Sequence, residues 1–275
     1  MRIALAQISS GIDPAANAAL VADWVARAAS TRADLVVFPE ATMCRFGVPL
    51  GPVAQPLDGP WAQAVSAAAR EHGVTVVAGM FTPAGTGGGV GDSVADARVH
   101  NTLLVTGPGH TSLGYNKIHL FDAFDFAESR TVAPGTEPLT VDVAGVITGI
   151  ATCYDIRFPQ LFTALADRGA AVSVVAASWG DGDGKLRQWR TLAAARALDT
   201  AGYVVAVGQA RPTDPTAARS AAPTGIGHSV VVDPYGSIVF EAGPDVEFAV
   251  VDIDPSTVAT ARERLGVLNN RQRIY

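Results

Sequence analysis

The regular alternation of short apolar runs with longer amphipathic segments constrains this chain more than any other feature. The apolar runs, such as 2–8 and 34–40, are typical of buried strands. The longer segments, such as 14–33 and 186–202, space their apolar residues three and four positions apart, as helices do. About ten strands and five helices follow one another without a linker. This order predicts a single α/β domain over residues 1–275, with helices covering a central sheet.

Two segments predict antiparallel hairpins, one at 139–153 around Gly145 and one at 228–241 around Pro-Tyr-Gly. Antiparallel pairs leave a second arrangement open, in which two sheets pack face to face. Residues 83–98 are rich in glycine, and residues 211–226 are rich in Pro, Ser, Thr and Ala. Both of these segments are therefore predicted to be loops.

Composition excludes several classes of protein. Hydrophobic residues make up 48% of the chain and charged residues 17%, so a sizeable core can form without disulfides. The net charge is −6 and no run of Lys or Arg occurs, which argues against a nucleic-acid partner. The apolar runs fall short of the roughly 20 residues that span a bilayer, and the N-terminus lacks a signal-peptide pattern. We therefore expect a cytoplasmic protein without a membrane partner.

The cysteines and histidines show no metal-binding pattern. The two cysteines, Cys44 and Cys153, do not make a disulfide framework, and neither a Cys-x-x-Cys nor a His-x-x-x-His pair occurs. The glycine-rich loop is not followed by Lys-Ser or Lys-Thr, so it does not match a phosphate-binding loop. No metal or other cofactor is therefore expected.

Three side chains with chemical potential stand near the ends of predicted strands, where α/β proteins place ligand-binding groups. They are Glu40 in LVVFPEA, Lys117 in GYNKIHLFD and Cys153 in GIATCYDIRFP. Taken singly, each also has an ordinary structural interpretation, such as a surface lysine or a small buried cysteine. Cys153 is the most specific of the three, because it lies between a strand and a helix that begins near Pro159. A nucleophile on such a turn is exposed beside backbone N–H groups that can bind an oxyanion.

The order of the motifs FPE, NKIHLFD and CYDIRFP resembles the nitrilase (carbon–nitrogen hydrolase) superfamily, whose members carry a Glu–Lys–Cys triad in this order. The likeness runs over nearly the whole chain, from the strand MRIALAQ onward. It includes DGP (58–60), AESRTVAPG (127–135) and GHSVVVDPYG (227–236). CYDIRFP is similar to the branch that holds ω-amidases and deaminated glutathione amidases, rather than to true nitrilases.

The resemblance implies an αββα sandwich and an amidase. By likeness, Glu40 is the general base, Lys117 stabilises the oxyanion, Cys153 is the nucleophile, and Glu128 helps to hold the site. The N–H of Tyr154 is a second candidate oxyanion donor. Such a site would cleave a linear amide to an acid and ammonia through a cysteine thioester.

Other functions remain open at this point. Acyl transfer and nitrile hydrolysis can use the same triad, so only product analysis separates them from amide hydrolysis. A Cys–His hydrolase would need a histidine near Cys153, and His119 is the candidate, although a structural hydrogen bond is the more ordinary role for it. An interaction module without activity is disfavoured because all of the residues of the triad are present. Cys44 follows Glu40 closely and either packs or lies near the pocket.

The substrate is expected to be a small linear amide with a carboxylate, because several arginines follow the motif residues. Arg157, Arg45 and Arg130 are the candidates, since an arginine can bind a carboxylate through two parallel hydrogen bonds. Arg157 has an alternative partner in Asp155. Trp179 either lines the pocket or packs in the core. Two substrates lead by family likeness, deaminated glutathione and α-ketoglutaramate, and the room left by the loop favours the longer one.

The low share of charged residues and the family likeness predict a homodimer or a higher homo-oligomer. The likeness places the helices at about 159–168 and 186–201 in a shared interface. Exposed apolar side chains such as Phe162 and Trp189 would be buried there. The C-terminal tail, about 266–275, is expected to reach the partner subunit.

Overall fold

Strands and α-helices alternate up to residue 72 and largely again from residue 159, whereas strand follows strand in the described part of residues 75–152, where the apolar pattern did not separate them by helices. The computed structural model describes residues 1–85, 98–123 and 126–272, so most of the predicted loop at 83–98 lies outside the described residues. The strands are β1 (Arg2–Gln7), β2 (Leu35–Val37), β3 (Thr75–Pro83), β4 (Val99–Gly107), β5 (His110–Asn116), β6 (Asp122–Ala123), β7 (Phe126–Ala127), β8 (Leu139–Val143), β9 (Val146–Thr152), β10 (Val172–Ala177), β11 (Tyr203–Gly208), β12 (Val230–Val232), β13 (Ile238–Glu241) and β14 (Glu247–Asp252). The helices are α1 (Pro14–Ser30), α2 (Pro60–His72), α3 (Pro159–Asp167), α4 (Lys185–Thr200), α5 (Pro215–Ala218) and α6 (Ser256–Leu265).

Proline and glycine set several helix ends. Helix α2 begins at Pro60, whose fixed φ suits the first helical position. The same helix ends before Gly73, which has a φ of 66° and accepts the left-handed turn that closes many helices. The predicted loop at 211–226 contains one short helix, α5, which the sequence analysis missed. Its first turn is stabilised by Asp214, whose carboxylate accepts hydrogen bonds from two backbone N–H groups.

The strands form two six-stranded sheets and one small two-stranded sheet. The first large sheet has the order β14-β1-β2-β3-β4-β5, and β1, β2 and β3 are parallel in it. The second has the order β13-β12-β11-β10-β9-β8, with β9, β10 and β11 parallel. The hairpins predicted at 139–153 and 228–241 form β8-β9 and β12-β13, both antiparallel.

The two sheets pack face to face, and helices cover their outer faces. Alternate residues of β2 point to opposite sides: Leu35 and Val37 join a core shared by both sheets, and Val36 joins the layer formed with α1 and α2. Helices α3 and α4 cover the second sheet in the same way. The order of layers is helices, sheet, sheet, helices, which confirms the predicted αββα sandwich. Within the described residues, no helix combines the length and the apolarity needed to cross a membrane.

Two apolar residues assigned to a subunit interface lie instead in the core of a single chain. Phe162 and Trp189 are both fully buried against the second sheet, so that prediction was wrong for these side chains. The indole N–H of Trp189 donates to the carbonyl of His228 at 2.7 Å. Within the tail, Arg271 pairs with Asp167 at the end of α3 of its own chain. The homo-oligomer itself stays a prediction.

Replacement of Phe162 by alanine should lower the free energy of unfolding by about 3–5 kcal/mol, because it leaves a cavity between α3 and the second sheet. Urea unfolding followed by circular dichroism measures the change. The matched control is Gln160→Ala on the exposed side of the same helix, for which a change within about 0.5 kcal/mol is expected. Equal unfolding midpoints for the two variants would contradict the placement of Phe162 in the core.

Candidate active site

Polar side chains from both large sheets meet at one edge of the sandwich. Glu40 follows β2 and Lys117 follows β5 in the first sheet, while Cys153 and Ser178 follow β9 and β10 in the second. Glu40 and Lys117 are 1% and 2% exposed, values that are rare for charged side chains. Burial of this kind requires a partner for each charge.

Every described contact of the Glu40 carboxylate is with a hydrogen-bond donor. Its Oε1 accepts from Lys117 Nζ at 3.0 Å and from Asn101 Nδ2 at 2.7 Å. Its Oε2 accepts from the backbone N–H of Ser178 at 2.8 Å. Because Ser178 belongs to the second sheet, the carboxylate joins the two halves of the sandwich. The backbone carbonyl of Glu40 is held in turn by the side chain of Gln209 at 3.0 Å.

The backbone at Glu40 is positioned by an unusual turn that needs a glycine beside it. Ala41 adopts a φ of 57°, which an L-residue with a Cβ seldom takes. Gly79 in β3 lies directly under this turn, so close that a Cβ there would stand 2.4 Å from Ala41 N and 2.8 Å from Glu40 Cα. The backbone of Gly79 also accepts from Met43 N–H at 2.8 Å and donates to Pro39 O at 3.1 Å. The missing side chain therefore allows Glu40 to sit tightly against the sheet.

Lys117 lies between two carboxylates. Its Nζ donates to Glu40 Oε1 at 3.0 Å and to Glu128 Oε2 at 2.8 Å. Glu128 begins a short 3-10 turn, and its Oε2 also accepts from Phe121 N–H at 2.7 Å. An ammonium has three N–H donors, so among the described residues one N–H of Lys117 is left for a further acceptor.

Cys153 is held in a strained turn directly after β9. Its φ is 45°, and it starts the 3-10 turn Cys153–Arg157. Residues outside the common backbone regions cluster at functional sites, where the surrounding structure holds them in place. Here the neighbour Asp155, fully buried, accepts from Thr152 N–H at 2.9 Å and from the Tyr115 hydroxyl at 2.6 Å. Since Tyr115 lies in β5, this contact also ties the turn to the first sheet.

The charges around Cys153 favour a neutral thiol in the resting site. Burial and the charge of Glu40 raise the pKa of Cys153 well above its ordinary value, while Lys117 opposes the rise. Burial also raises the pKa of Glu40, with Glu128 adding to the effect and Lys117 again opposing it. Burial lowers the pKa of Lys117, but the two carboxylates outweigh burial and raise it well above its ordinary value. A thiolate would add a second net negative charge to a buried group of two carboxylates and one ammonium.

A pocket opens above these groups. The empty space between its walls is about 420 Å³, which includes the part open to solvent. Its walls include the aromatic side chains of Tyr154 and Trp179. The indole N–H of Trp179 donates to the carbonyl of Lys185 at 3.1 Å. The lining residues are Glu40, Phe46, Lys117, Phe121, Phe126, Glu128, Cys153, Tyr154, Arg157, Ser178, Trp179, Gly180, Lys185 and Pro223.

Two cationic side chains reach this pocket in addition to Lys117. The Arg157 guanidinium lies 5.2 Å from the ring centre of Trp179, and its Nη2 donates to Gln188 at 2.6 Å. The alternative pairing of Arg157 with Asp155 is absent from the hydrogen bonds and ion pairs of the described residues. The Lys185 ammonium lies 5.4 Å from the ring centre of Phe121. Burial and the charge of Arg157 lower the pKa of Lys185.

The other candidate residues lie away from the pocket. Arg45 pairs with Asp214 at 3.5 Å, and Arg130 is exposed; neither is among the residues lining the cavity. His119 hydrogen-bonds to Asp155 through its Nδ1 at 2.8 Å and stacks on Phe158, which is the structural role expected of it. Cys44 is fully buried and also lies outside the lining.

Three polar residues of the site, Asn101, Ser178 and Lys185, were not predicted from the sequence. Asn101 bridges the two glutamates, Ser178 binds Glu40 through its backbone, and Lys185 lines the pocket. Asn101 left no clear signal, because it stands between the polar residues His100 and Thr102 before the apolar part of β4. The contact of Ser178 leaves no side-chain signal, because the donor is a backbone N–H.

Comparison with known proteins gives the family. The carbon–nitrogen hydrolase family model matches residues 2–263. A hydrolase of Mycobacterium tuberculosis H37Rv is 56% identical over 98% of this chain and 95% of its own length. A deaminated glutathione amidase of Escherichia coli O157:H7 is 34% identical over 93% of this chain and 91% of its own. The crystal structure of Saccharomyces cerevisiae Nit3, a member of branch 10 of the nitrilase superfamily, has a TM-score of 0.83 and 26% identity, and covers 100% of this chain and 97% of that one.

The chain therefore belongs to the carbon–nitrogen hydrolase family, as the order of its motifs indicated. The predicted likeness to the amidase branch is confirmed, and so is the prediction of an enzyme of the amidase class. The catalytic roles of individual side chains, such as Glu40 and Cys153, stay predictions at this point.

The variant Gly79→Ala should displace Glu40, because the new methyl group would overlap the backbone of Glu40 and Ala41. We expect a loss of stability of about 1–3 kcal/mol, as for other overpacked sites. Amide turnover should fall by at least about tenfold if Glu40 moves away from its partners. Gly85→Ala is the control, since a Cβ there would meet nothing within 4 Å. Wild-type activity in the Gly79 variant would show that the close contact does not position Glu40.

Proposed function

We propose that this enzyme hydrolyses a small linear amide that carries a carboxylate, releasing an acid and ammonia through a thioester on Cys153. The observation that carries the proposal is the meeting of Cys153, Glu40 and Lys117 at one buried point of the pocket. A nucleophile, a proton acceptor and a fixed positive charge are the three groups that acyl transfer through a thioester requires.

The first step forms the bond between sulfur and carbon. As Cys153 Sγ attacks the carbonyl carbon, its proton passes to the Glu40 carboxylate, and the carbonyl π electrons move to oxygen. In this proposal, the remaining N–H of Lys117 and the backbone N–H of Tyr154 donate to that oxygen. Loss of one such donor typically lowers the rate about 100- to 1000-fold.

The second step breaks the carbon–nitrogen bond. The oxyanion returns its electrons to carbon, Glu40 gives its proton to the departing nitrogen, and ammonia leaves behind a thioester. Water then attacks the thioester while Glu40 takes one of its protons. The carbon–sulfur bond breaks, the proton returns to sulfur, and the acid is released.

The electrostatics of the site support Glu40 as the base. A glutamate with an ordinary pKa of about 4.3 takes a proton from a thiol only weakly. Burial and the charge of Glu128 raise the pKa of Glu40, which makes it a better acceptor. Because burial and the charge of Glu40 favour a neutral thiol, attack and proton transfer have to be coupled. Both residues line the same pocket, which suits this requirement.

Acyl transfer remains the second candidate function, because it shares every step up to the thioester. It would differ only in the acceptor, an amine or a thiol in place of water. A Cys–His mechanism is less well supported, since His119 bonds to Asp155 and is not part of the pocket lining.

The cations of the pocket support a carboxylated substrate. Arg157 and Lys185 both line the pocket, and the described partner of the guanidinium, Gln188, is neutral. Because this partner is uncharged, the positive charge of Arg157 is available to a ligand anion. A neighbouring groove, open to solvent, shares Lys185, Phe121 and Pro223 with the pocket. It is lined further out by Ala218, Ser220, Ala221, Ala222 and Thr224. This space supports the longer candidate, deaminated glutathione, over α-ketoglutaramate.

Cys153→Ala should reduce amide turnover to below a few per cent of wild type, because it removes the nucleophile. Ammonia release measures turnover, and intact-mass spectrometry at short times should show an acyl adduct on the wild type. Cys44→Ala is the matched control and should keep its activity and its adduct. Turnover by the Cys153 variant at the wild-type rate would end the thioester mechanism.

Arg157→Met should lower kcat/KM for a carboxylated amide by roughly 10- to 100-fold, which corresponds to the loss of a charge-assisted hydrogen bond. The rate on a neutral amide of equal length should change little, because that substrate has no carboxylate for Arg157 to bind. Arg45→Met, outside the pocket, serves as the control. Equal losses on both substrates would remove the role of Arg157 in carboxylate binding.

A further inference from the structure

Asn101 contacts all three charged residues of the site, although no step of the mechanism above uses it. It lies in β4 and is fully buried. Its Nδ2 donates to Glu40 Oε1 at 2.7 Å and to Glu128 Oε1 at 3.0 Å. Its backbone carbonyl accepts from Lys117 N–H at 2.8 Å. One residue therefore spans the two carboxylates and the lysine between them.

The chemistry of the neighbours fixes the orientation of this amide. With Nδ2 toward the carboxylates, both of its N–H groups have acceptors. The flipped amide would place Oδ1 beside two carboxylate oxygens, which repel it. In the orientation observed, Oδ1 is buried and has no partner among the described residues. An unpaired buried acceptor opposes folding, so stability alone does not explain a polar residue here.

A neutral donor suits this position better than a charged one. A lysine or arginine in place of Asn101 would add a positive charge beside Glu40 and weaken it as a base. An aspartate would add a third carboxylate to a buried pair. The amide holds both carboxylates and leaves the charge of the site unchanged.

The neighbours of Glu40 shift its pKa in opposite directions. The groups that face Glu40 are Lys117, Glu128, Cys153 and Asn101. Burial and Glu128 raise the pKa of Glu40, whereas Lys117 and the hydrogen bond from Asn101 lower it. The hydrogen bond from Asn101 therefore opposes part of the rise in the pKa of Glu40 that burial causes.

We propose that Asn101 is a positioning residue: its one amide group holds the carboxylates of Glu40 and Glu128 on either side of Lys117 and so fixes the position of Glu40 in the site. The proposal rests on the proposed function, in which Glu40 receives the thiol proton.

The test is the pH profile of kcat/KM for Asn101→Leu, which keeps the branched shape of the side chain and removes its donors. We expect at least a tenfold loss of kcat at neutral pH, little change in KM, and an acid limb at higher pH than in wild type. The shift has this sign because the hydrogen bond from Asn101 stabilises the ionised form of Glu40, and its loss raises the pKa of Glu40. Glu40 is then protonated, and activity is lost, at a higher pH than in wild type. Asn101→Ser, which keeps one donor, should lie between the two profiles.

Thr106→Val is the matched control. In the wild type, the Thr106 hydroxyl donates to Ser66 Oγ at 2.9 Å, and the variant removes this buried hydrogen bond. Thr106 lies in the same strand as Asn101 but near its other end. The control variant should keep the wild-type profile. A wild-type rate and acid limb in Asn101→Leu would overturn the proposal. If that variant fails to fold, a wild-type profile in Asn101→Ser overturns it instead.

Two further variants separate the failure of this proposal from the failure of the proposed function. Glu40→Gln should lose both activity and the acid limb, and Cys153→Ala should form no acyl adduct. If these two variants behave as expected and the Asn101 variants behave like wild type, only the role of Asn101 is lost. If Glu40→Gln keeps its activity, the proposed function falls as well.

Discussion

The ammonium of Lys117, held between two buried carboxylates, is the interaction on which the rest of the site depends. Charges removed from water are stable only when they are paired and their remaining hydrogen-bonding groups are satisfied. Glu40 and Glu128 meet this condition through Lys117, the shared amide of Asn101 and backbone N–H groups. Because the partners come from several strands, the ion group requires the sandwich to be assembled.

A second set of contacts fixes the geometry of the turn that holds Cys153. Glu40 bonds to Ser178 of the second sheet, and Tyr115 of the first sheet bonds to Asp155 beside Cys153. Each sheet therefore positions a group of the other. The strained φ values at Ala41 and Cys153 are maintained because neighbours on both sides hold the backbone.

Much of the fold could be predicted from the sequence, because strand and helix periodicities are local properties. The αββα layers and the triad came from the resemblance of ordered motifs. The burial of Phe162 and Trp189 was misassigned, because an apolar residue on a helix looks the same whether a sheet or a partner subunit covers it. The choice among the arginines, and the role of Ser178, depend on distances between segments far apart in the chain, which no local pattern encodes.

The long span of the contacts of Glu40 has a consequence for synthesis on the ribosome. Its carboxylate bonds to residue 178 and its carbonyl to residue 209, so its partners emerge much later than it does. Nascent domains fold as units once enough of their chain has left the exit tunnel. A growing chain that ends at β10 would therefore contain Cys153 before Glu40 has gained its partners at residues 178 and 209. The hydrogen-bonded surroundings of Glu40 are complete only after residue 209 has left the ribosome.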